Sequence, residues 1–212
     1  MAASKHKILA FWLLAVTSCL VDQASKEWIF ATLPGNLKPM PGQYLGAHQT
    51  LWQASDQVDL DGGQTVPPGF HLHIAYTLDE NGRQIPHVNQ GALFGMGGTA
   101  WRGVANALFA LVSLLVAVAL GIFVTLWPNR PNWPLTVALG LVGGGAVGNL
   151  IDRVRFNGVR DFLHWNYLFD WPVFNVADVF LVVGAGLILL VGMGTPEKGS
   201  QKIIPASESD KK

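Results

Sequence analysis

Charge and cysteine are both scarce in this sequence of 212 residues. Only 13% of the residues are charged, with 14 basic and 14 acidic side chains, whereas about 25% is usual in soluble domains. This balance excludes a strongly basic surface of the kind that binds nucleic acid. The one cysteine, Cys19, excludes an internal disulfide framework and a zinc site built from several cysteines. Because 50% of the residues are apolar, the chain is a membrane protein or an unusually apolar globular domain.

Several familiar catalytic motifs are also missing. The chain has no His-Glu-x-x-His zinc motif, no Gly-x-Ser-x-Gly nucleophile turn and no phosphate-binding glycine loop. Ser25 and Lys26 are adjacent, so on a helix they point apart and make a poor catalytic pair. His71 and His73 share one face of a strand, but two ligands do not make a metal site. We expect both histidines on the surface, and we expect no metal and no cofactor.

Long apolar runs account for much of the chain. Residues 104–127 contain no charged side chain and would form roughly 36 Å of helix, enough to cross a bilayer core of about 30 Å. Other runs begin near residues 8, 133 and 173, and a cleavable signal peptide would account only for the first. We predict an all-α polytopic membrane protein, one membrane domain over 1–212, with transmembrane helices at 8–31, 102–127, 133–152 and 173–194.

Aromatic and basic residues indicate how these helices cross the membrane. Tryptophans gather at both ends of the helices, which is typical of two membrane interfaces: Trp127 and Trp133 on one side, and Trp28, Trp101, Trp165 and Trp171 on the other. Basic residues are densest at the two termini and at Arg130, which predicts that both termini are cytoplasmic. Arg153, Arg155 and Arg160 fall on the outer side, where we expect them to pair with acids.

The remaining segments lie outside the predicted helices. Residues 32–101 form one long outer segment in which 71–77 has β character and 80–83 is typical of a turn. We predict a small β-rich extracytoplasmic subdomain here, lying on the outer membrane face. A second outer loop spans 153–172, and we expect the tail at 195–212 to be disordered and cytoplasmic.

Polar residues at membrane depth are costly, so they are candidates for function. They occur in five short segments: DQASK at 22–26, NQGALFG at 89–95, GNLIDR at 148–153, VRDF at 159–162 and FNVAD at 174–178.

Each segment also has an ordinary structural interpretation. Asp22 and Lys26, four residues apart on a helix, can form an ion pair. The segment 89–95 is typical of a glycine-containing loop. The glycines at 140, 144 and 148 permit close helix packing, and Asp152 with Arg153 or Arg155 makes a structural clamp. Asp161 is a loop acid paired with its neighbour Arg160, and 175–178 is a helix cap.

The predicted topology brings these segments together. If the helices cross as described, six polar residues lie near one depth in the outer leaflet: Asp22, Asn89, Asn149, Asp152, Asp161 and Asp178. Carboxylates that lie close together in a low dielectric share a proton. Such a pair can activate water and protonate a leaving amine, which is the chemistry of general acid–base catalysis.

With these five segments, in this order and on four helices, the sequence resembles the lipoprotein signal peptidase (signal peptidase II) family over about residues 8–194. The resemblance implies a bacterial inner-membrane aspartyl endopeptidase. Such an enzyme removes the signal peptide of a prolipoprotein by cutting before a cysteine that carries diacylglycerol. Its partners would be this substrate and membrane lipids, with no nucleic acid, and the reaction would need neither a metal nor a covalent intermediate.

The resemblance also assigns roles to residues. Asp161 and Asp178 would be the catalytic pair, one acting as base on water and the other polarising the scissile carbonyl. Residues that orient the pair and the substrate would be Asn89, Gly91, Asn149, Asp152, Arg153 and Asn175. Asp22, Gln23 and Lys26 would support the site structurally.

The chain departs from the family pattern in three places. Arg160 stands where the family usually has an apolar residue, and we hypothesise that its charge biases which aspartate carries the proton. Val179 stands where a small polar residue is common. The outer segment before Asn89 is longer than usual.

Two alternatives remain at this stage. Intramembrane acids also relay protons, so the chain could be a transporter or a proton relay that uses the outer-leaflet carboxylates. Alternatively, residues 16–19 loosely resemble a lipobox, in which case the chain would be a lipoprotein precursor that is cut before Cys19.

Overall fold

A computed structural model describes residues 2–33, 45–53, 68–79, 82–91, 99–129 and 131–193. Some of our predictions concern residues outside these ranges, namely the tail at 195–212, Arg130 and most of the parts of the outer segment 32–101 that connect its strands. The described part contains four helices and four strands: α1 (Ala2–Thr32), β1 (Leu45–Gln53), β2 (Gly69–Leu78), β3 (Gln84–Pro86), α2 (Thr99–Leu126), α3 (Trp133–Phe156), β4 (Leu163–Trp165) and α4 (Val176–Met193).

All four helices are long and apolar enough to cross a membrane. This confirms the predicted fold class of four candidate spans with a small sheet. Many large apolar side chains on these helices remain exposed, as expected for surfaces that face lipid, and examples are Leu9, Leu115 and Leu189. The helices therefore belong to a membrane-embedded bundle rather than to a water-soluble core.

The third helix is longer than the predicted span. We expected it to end at residue 152, but α3 continues to Phe156, and Arg153 and Arg155 lie in its last turn. Basic side chains in that position stabilise the helix dipole, so the charges that end the apolar run do not end the helix. Asn157, in a left-handed conformation with φ 57°, follows the helix as its cap.

Helix α3 lies at the centre and packs against α1, α2 and α4. Its glycines allow this close approach, as the sequence indicated. A Cβ atom at Gly144 would lie 2.5 Å from the carbonyl oxygen of Ala15 on α1, and one at Gly145 would lie 2.7 Å from the carbonyl oxygen of Ala177 on α4. The backbone of α3 therefore lies close to the backbones of both α1 and α4, on two adjoining faces.

The strands form one antiparallel sheet around β2, which pairs with β1 along most of its length and with β3 and β4 on its other edge. This confirms the β character expected for 71–77. Gly82, with φ 74°, lies in the turn between β2 and β3, while Glu80 and Asn81 of the expected turn lie outside the described residues.

The sheet rests on the end of α1. Ile29 and Phe30 of this helix form a buried cluster with Phe162 and with three residues of β2, which are Leu72, Ile74 and Tyr76. This contact fixes the sheet at the end of the bundle where α1 and α3 end and α4 begins. The loops that carry the candidate polar residues lie at the same end.

Candidate active site

The polar residues that the sequence placed at one depth do come together. Helix α1 supplies Asp22, α3 supplies Asn149 and Asp152, and α4 supplies Asp178. Asn89 follows β3, and Asp161 lies between α3 and β4. Hydrogen bonds connect these residues into two neighbouring groups, one around the aspartates Asp161 and Asp178 and the other around Lys26.

Asn175 caps the N-terminus of α4. Its side-chain oxygen accepts a hydrogen bond from the backbone N–H of Asp178 at 3.1 Å, and a carboxylate oxygen of Asp178 accepts one from the backbone N–H of Asn175 at 3.1 Å. This reciprocal arrangement is a capping box, with aspartate in the place of the usual glutamate or glutamine. The capping interpretation of these residues is therefore confirmed.

The same asparagine also links the two aspartates. Its side-chain N–H donates to Asp161 at 2.7 Å and to the side-chain oxygen of Asn149 at 3.2 Å. The side-chain N–H of Asn149 in turn donates to Asp178 at 2.8 Å. The side-chain amides of Asn175 and Asn149 thus hold both carboxylates. Asn175 both caps α4 and donates to Asp161.

Asn89 holds the other oxygen of Asp161. Its side-chain N–H donates to Asp161 at 3.0 Å, and its side-chain oxygen accepts from the backbone N–H of Gly91 at 2.9 Å. Gly91 has φ 78°, and a Cβ atom there would collide with the ring of Phe109 on α2. Both the backbone conformation and the space available therefore require glycine at this position.

The environment of Asp161 favours a protonated carboxyl. Burial and, to a smaller extent, the negative charge of Asp178 raise its pKa from 3.8 to about 6. Hydrogen bonds from Asn175 and Asn89 and the positive charge of Lys26 oppose these effects. Asp161 can thus hold a proton beside the neighbouring carboxyl of Asp178. The pair can therefore supply both a general base and a general acid.

A buried group of four charged side chains lies beside the aspartate pair. Lys26 binds Asp22 at 2.8 Å and lies 3.5 Å from Asp152. Arg160 binds Asp152 at 2.9 Å. Gln23 donates to both carboxylates and to the carbonyl oxygen of Gly148. The two positive and two negative charges balance, so each buried ion has a partner of opposite charge.

Arg160 has different partners from those expected from the sequence. The clamp that we expected between Asp152 and Arg153 or Arg155 is made by Arg160, because the chain turns back after α3. The guanidinium of Arg160 is engaged by this carboxylate and by Glu27, so the loop pair expected between Arg160 and Asp161 does not form.

Arg153 occupies a different environment from the other arginines. Its guanidinium lies over the ring of Phe109, 5.5 Å from the centroid, and donates to the carbonyl oxygen of Asn149 at 3.3 Å. It lies close enough for its charge to interact with Asp161 and Asp178. The expectation that all three outer arginines pair directly with acids holds for Arg155 and Arg160, whereas Arg153 is held by a ring and a carbonyl.

A cleft of about 490 Å³ opens beside Asp161, and β2 and the segments 87–90 and 172–173 line it. Its lining also includes His73, His87, Gln90, Pro172 and Val173, none of which was predicted as a site residue. His73 was considered only as a metal ligand together with His71, and nothing near His87 or Pro172 distinguishes either residue in the sequence.

The prediction that His71 lies on the surface was wrong. His71 is fully buried, and its ring nitrogens contact the side-chain oxygens of Thr50 and Asn166, each at 3.2 Å. These contacts join β1 and β2 to the residue after β4, so His71 is part of the sheet's interior.

Comparison with known proteins identifies the group to which this chain is related. The sequence profile of signal peptidase (SPase) II matches residues 64–193. A lipoprotein signal peptidase of Gloeobacter violaceus is 30% identical over 203 residues, which is 95% of this chain and 90% of that protein. One of Syntrophotalea carbinolica is 40% identical over 126 residues, which is 56% of this chain and 73% of that protein.

The fold also occurs in solved structures. A bacterial membrane enzyme determined by the in meso method at 2.3 Å resolution superposes with a TM-score of 0.56 and 24% identity, over 90% of this chain and 91% of that one. The sequence relationships extend over the segments that carry both aspartates and their asparagine partners. The chain therefore belongs to the signal peptidase II family of membrane-embedded peptidases.

Proposed function

We propose that this protein removes the signal peptides of prolipoproteins, using Asp161 and Asp178 as its catalytic pair. The observation that carries the proposal is the hydrogen-bond network in which Asn175 and Asn149 hold both carboxylates. A peptidase needs one group to activate water and one to protonate the leaving amine. Family membership gives the transporter alternative no support.

The reaction begins with a pair that holds one proton. The ionised carboxylate takes a proton from water as the water attacks the scissile carbonyl carbon. The protonated carboxyl donates a hydrogen bond to the carbonyl oxygen and stabilises the charge that develops there. Collapse of the tetrahedral intermediate breaks the C–N bond, and a proton from the pair goes to the leaving amine. One proton remains on the pair, so the starting state returns without a covalent intermediate.

Neighbouring residues keep this pair in position. Asn89, Asn149 and Asn175 fix the carboxylate oxygens by donating amide N–H groups. Gly91 supports Asn89 through its backbone N–H, and Arg153 supplies positive charge where the substrate backbone would lie. The buried cluster that contains Asp22, Gln23, Lys26 and Asp152 gives the site a rigid base.

The substrate would be a prolipoprotein whose cysteine already carries diacylglycerol, and the cut would fall just before that cysteine. The exposed apolar surfaces of the helices accommodate membrane lipids and the lipid-bearing substrate. The reaction as written needs no metal and no cofactor, and nucleic acid has no part in it.

We also propose an orientation for the protein in the bacterial inner membrane. The density of basic residues at the termini supports a cytoplasmic location for both. In that orientation, with four spans at about 8–31, 102–127, 133–152 and 173–194, the aspartate pair would lie near the outer leaflet. The segments at 32–101 and 153–172, including the sheet, then lie on the outer face.

Cleavage of a defined peptide tests this function. Purified wild type, Asp161→Asn and Asp178→Asn are incubated with a diacylglyceryl-modified prolipoprotein peptide, and the unlipidated peptide serves as the control. We expect only wild type to cut, and only the lipidated peptide. Equal cleavage by all three proteins would disprove the role of the aspartates, and equal cleavage of both peptides would disprove the substrate class.

A further inference from the structure

The two members of the aspartate pair belong to different parts of the molecule. Asp178 lies in the first turn of α4, within the helix bundle. Asp161 lies in a segment bonded to the sheet region: Val159 pairs with Asn89, and the Phe162 carbonyl oxygen accepts from the backbone N–H of His73 at 2.8 Å. The separation of the two carboxylates therefore depends on how firmly this segment is attached to the helices.

Arg160, directly before Asp161, makes that attachment. Its backbone N–H and its Nε donate to one oxygen of Asp152 at 2.9 and 3.2 Å, and one of its terminal nitrogens donates to the other oxygen at 2.9 Å. Three hydrogen bonds thus fix the residue to α3, two of them from the planar guanidinium. Such a bidentate contact defines direction as well as distance.

The rest of the guanidinium is enclosed by the helices. Arg160 is only 2% exposed. A third nitrogen lies 3.2 Å from Glu27 on α1, and the guanidinium carbon lies 4.3 Å from the ring centroid of Phe156 on α3. The side chain therefore contacts two helices at once. The apolar cluster around Phe162 also joins the sheet to α1, but apolar contacts impose no comparable direction.

The charge of Arg160 is already matched where it lies. The buried cluster contains two cations and two carboxylates, and Lys26 is a cation that acts on Asp161. A role for Arg160 through its charge on Asp161 is therefore a poor fit to this geometry. Its hydrogen bonds to Asp152 are what connect it to the site.

We propose that Arg160 is a positioning residue that fixes Asp161 at the separation from Asp178 at which the two carboxyls share a proton. The inference rests on the proposed function of the aspartate pair. Arg160 touches neither substrate nor the reacting atoms in this proposal. It acts by tying the segment that carries Asp161 to α3 and α1.

The test uses Arg160→Lys, which keeps the positive charge but loses the planar guanidinium that donates to both oxygens of Asp152. We expect kcat on the lipidated peptide to fall about 10- to 100-fold with KM nearly unchanged, since small displacements of reacting groups have effects of this size. Arg155→Lys is the matched control, because Arg155 also binds Glu27 at 3.0 Å and stacks on Phe156 but is half exposed and has no contact with Asp152. We expect wild-type kcat for this control. Wild-type kcat for Arg160→Lys would overturn the inference.

The pH profile separates positioning from a loss of folded protein. Charged and titratable groups around Asp161 are Asp178, Lys26, Arg153, His73 and His87. Arg160→Lys leaves all of them in place. If Asp161 moves away from Asp178 and towards water, its pKa falls, and the basic limb of the kcat/KM profile moves to lower pH. A kcat/KM profile that is lower at every pH, with its basic limb at the wild-type pH, would indicate a purely structural role and would overturn the inference.

A second variant covers the possibility that Arg160→Lys fails to fold. Arg160→Met combined with Asp152→Asn removes one charge of each sign and leaves the Lys26–Asp22 pair intact. Asp152→Asn alone is the reference, because Asp152 itself belongs to the site. If Arg160 only neutralises Asp152, Arg160→Met is slower than Asp152→Asn, and the double variant recovers to the activity of Asp152→Asn. If Arg160 positions Asp161, the double variant stays as slow as Arg160→Met. A wild type that cuts nothing, or an Asp161→Asn variant that cuts normally, would instead contradict the proposed function.

Discussion

The side-chain amide of Asn175 lies 2.7 Å from a carboxylate oxygen of Asp161, which precedes it by 14 residues in the chain. The same side chain caps α4 by accepting from the backbone N–H of Asp178. One residue therefore ends the loop that carries the first aspartate and starts the helix that carries the second. Helix capping and alignment of the two aspartates are coupled at this position.

Substitution of Asn175 separates these two roles. Serine also caps helices well but has no amide N–H to donate to Asp161. We expect Asn175→Ser to lower kcat about 10- to 100-fold. The free energy of unfolding should fall by about 1–3 kcal/mol, because Asn175 is buried and its two donated hydrogen bonds are lost. Cleavage rates and thermal unfolding in detergent measure the two effects. Asn132→Ser is the control, because Asn132 caps α3 by accepting from Leu135 at 2.9 Å, and we expect full activity. Equal activity losses in the two variants would contradict this prediction.

The raised pKa of Asp161 makes a prediction about stability. A carboxyl whose pKa is raised from 3.8 to about 6 in the folded protein binds its proton more tightly there than in the unfolded chain. The tighter binding of this proton in the folded state stabilises the protein fully below pH 3.8, and this stabilisation is lost as the pH rises through about 6. We expect Asp161→Asn to melt at a higher temperature than wild type at pH 7. This difference should shrink towards pH 4, and a difference that does not depend on pH would argue against the shifted pKa.

Gly91 offers a comparison between two glycines with similar backbone conformations. Gly91 and Gly82 have φ angles of 78° and 74°, but a Cβ atom meets the Phe109 ring only at Gly91, since nothing lies within 4 Å at Gly82. We expect Gly82→Ala to cost about 1–2 kcal/mol of stability through its left-handed backbone, with normal activity. Gly91→Ala should displace Asn89 and lower kcat by at least about tenfold. Comparable kcat values for the two variants would refute this role of Gly91.

Lys26 is predicted to stabilise the fold strongly because its removal leaves Asp22 and Asp152 with less compensation. Breaking a buried ion pair from one side costs about 3–5 kcal/mol, whereas an exposed pair contributes about 0–1 kcal/mol. We therefore expect Lys26→Met to unfold at a much lower temperature than Arg155→Met, which breaks the half-exposed pair with Glu27. Thermal unfolding of both variants in the same detergent provides the measurement. Similar melting temperatures would show that the buried cluster adds little stability.

Apolar runs and polar spacing predicted much of this structure, because both depend on residues close together in the chain. The run ending at residue 151 located α3, but not its last turn, since the helix is continued there by the cap at Asn157 and by favourable basic residues. Asn175 and Asp178 could be recognised as a cap from their spacing. The side chain that binds Asp152 could not be chosen from the sequence, since three arginines follow it within eight residues and only the turn after α3 selects Arg160.

Contacts across the bundle were less predictable still. Phe109 lies in an apolar helix with no local feature that marks it as the neighbour of Gly91 and Arg153. His71 alternates with other residues along β2, and the sequence does not say which face of that strand is covered. Only the packing of β2 against the neighbouring strands and α1 decides that His71 is buried.

The ion pair between Asp22 and Lys26 also bears on how the protein is synthesised. Asp22 accepts a hydrogen bond from the backbone N–H of Ala177, 155 residues later in the chain. When the first helix leaves the ribosome, neither Ala177 nor Asp152 has been translated. At that time Asp22 and Lys26, four residues apart, have mainly each other, and their mutual neutralisation reduces the cost of entering the lipid bilayer. A contact that stabilises the finished enzyme therefore also helps its first segment to insert before the partner helices exist.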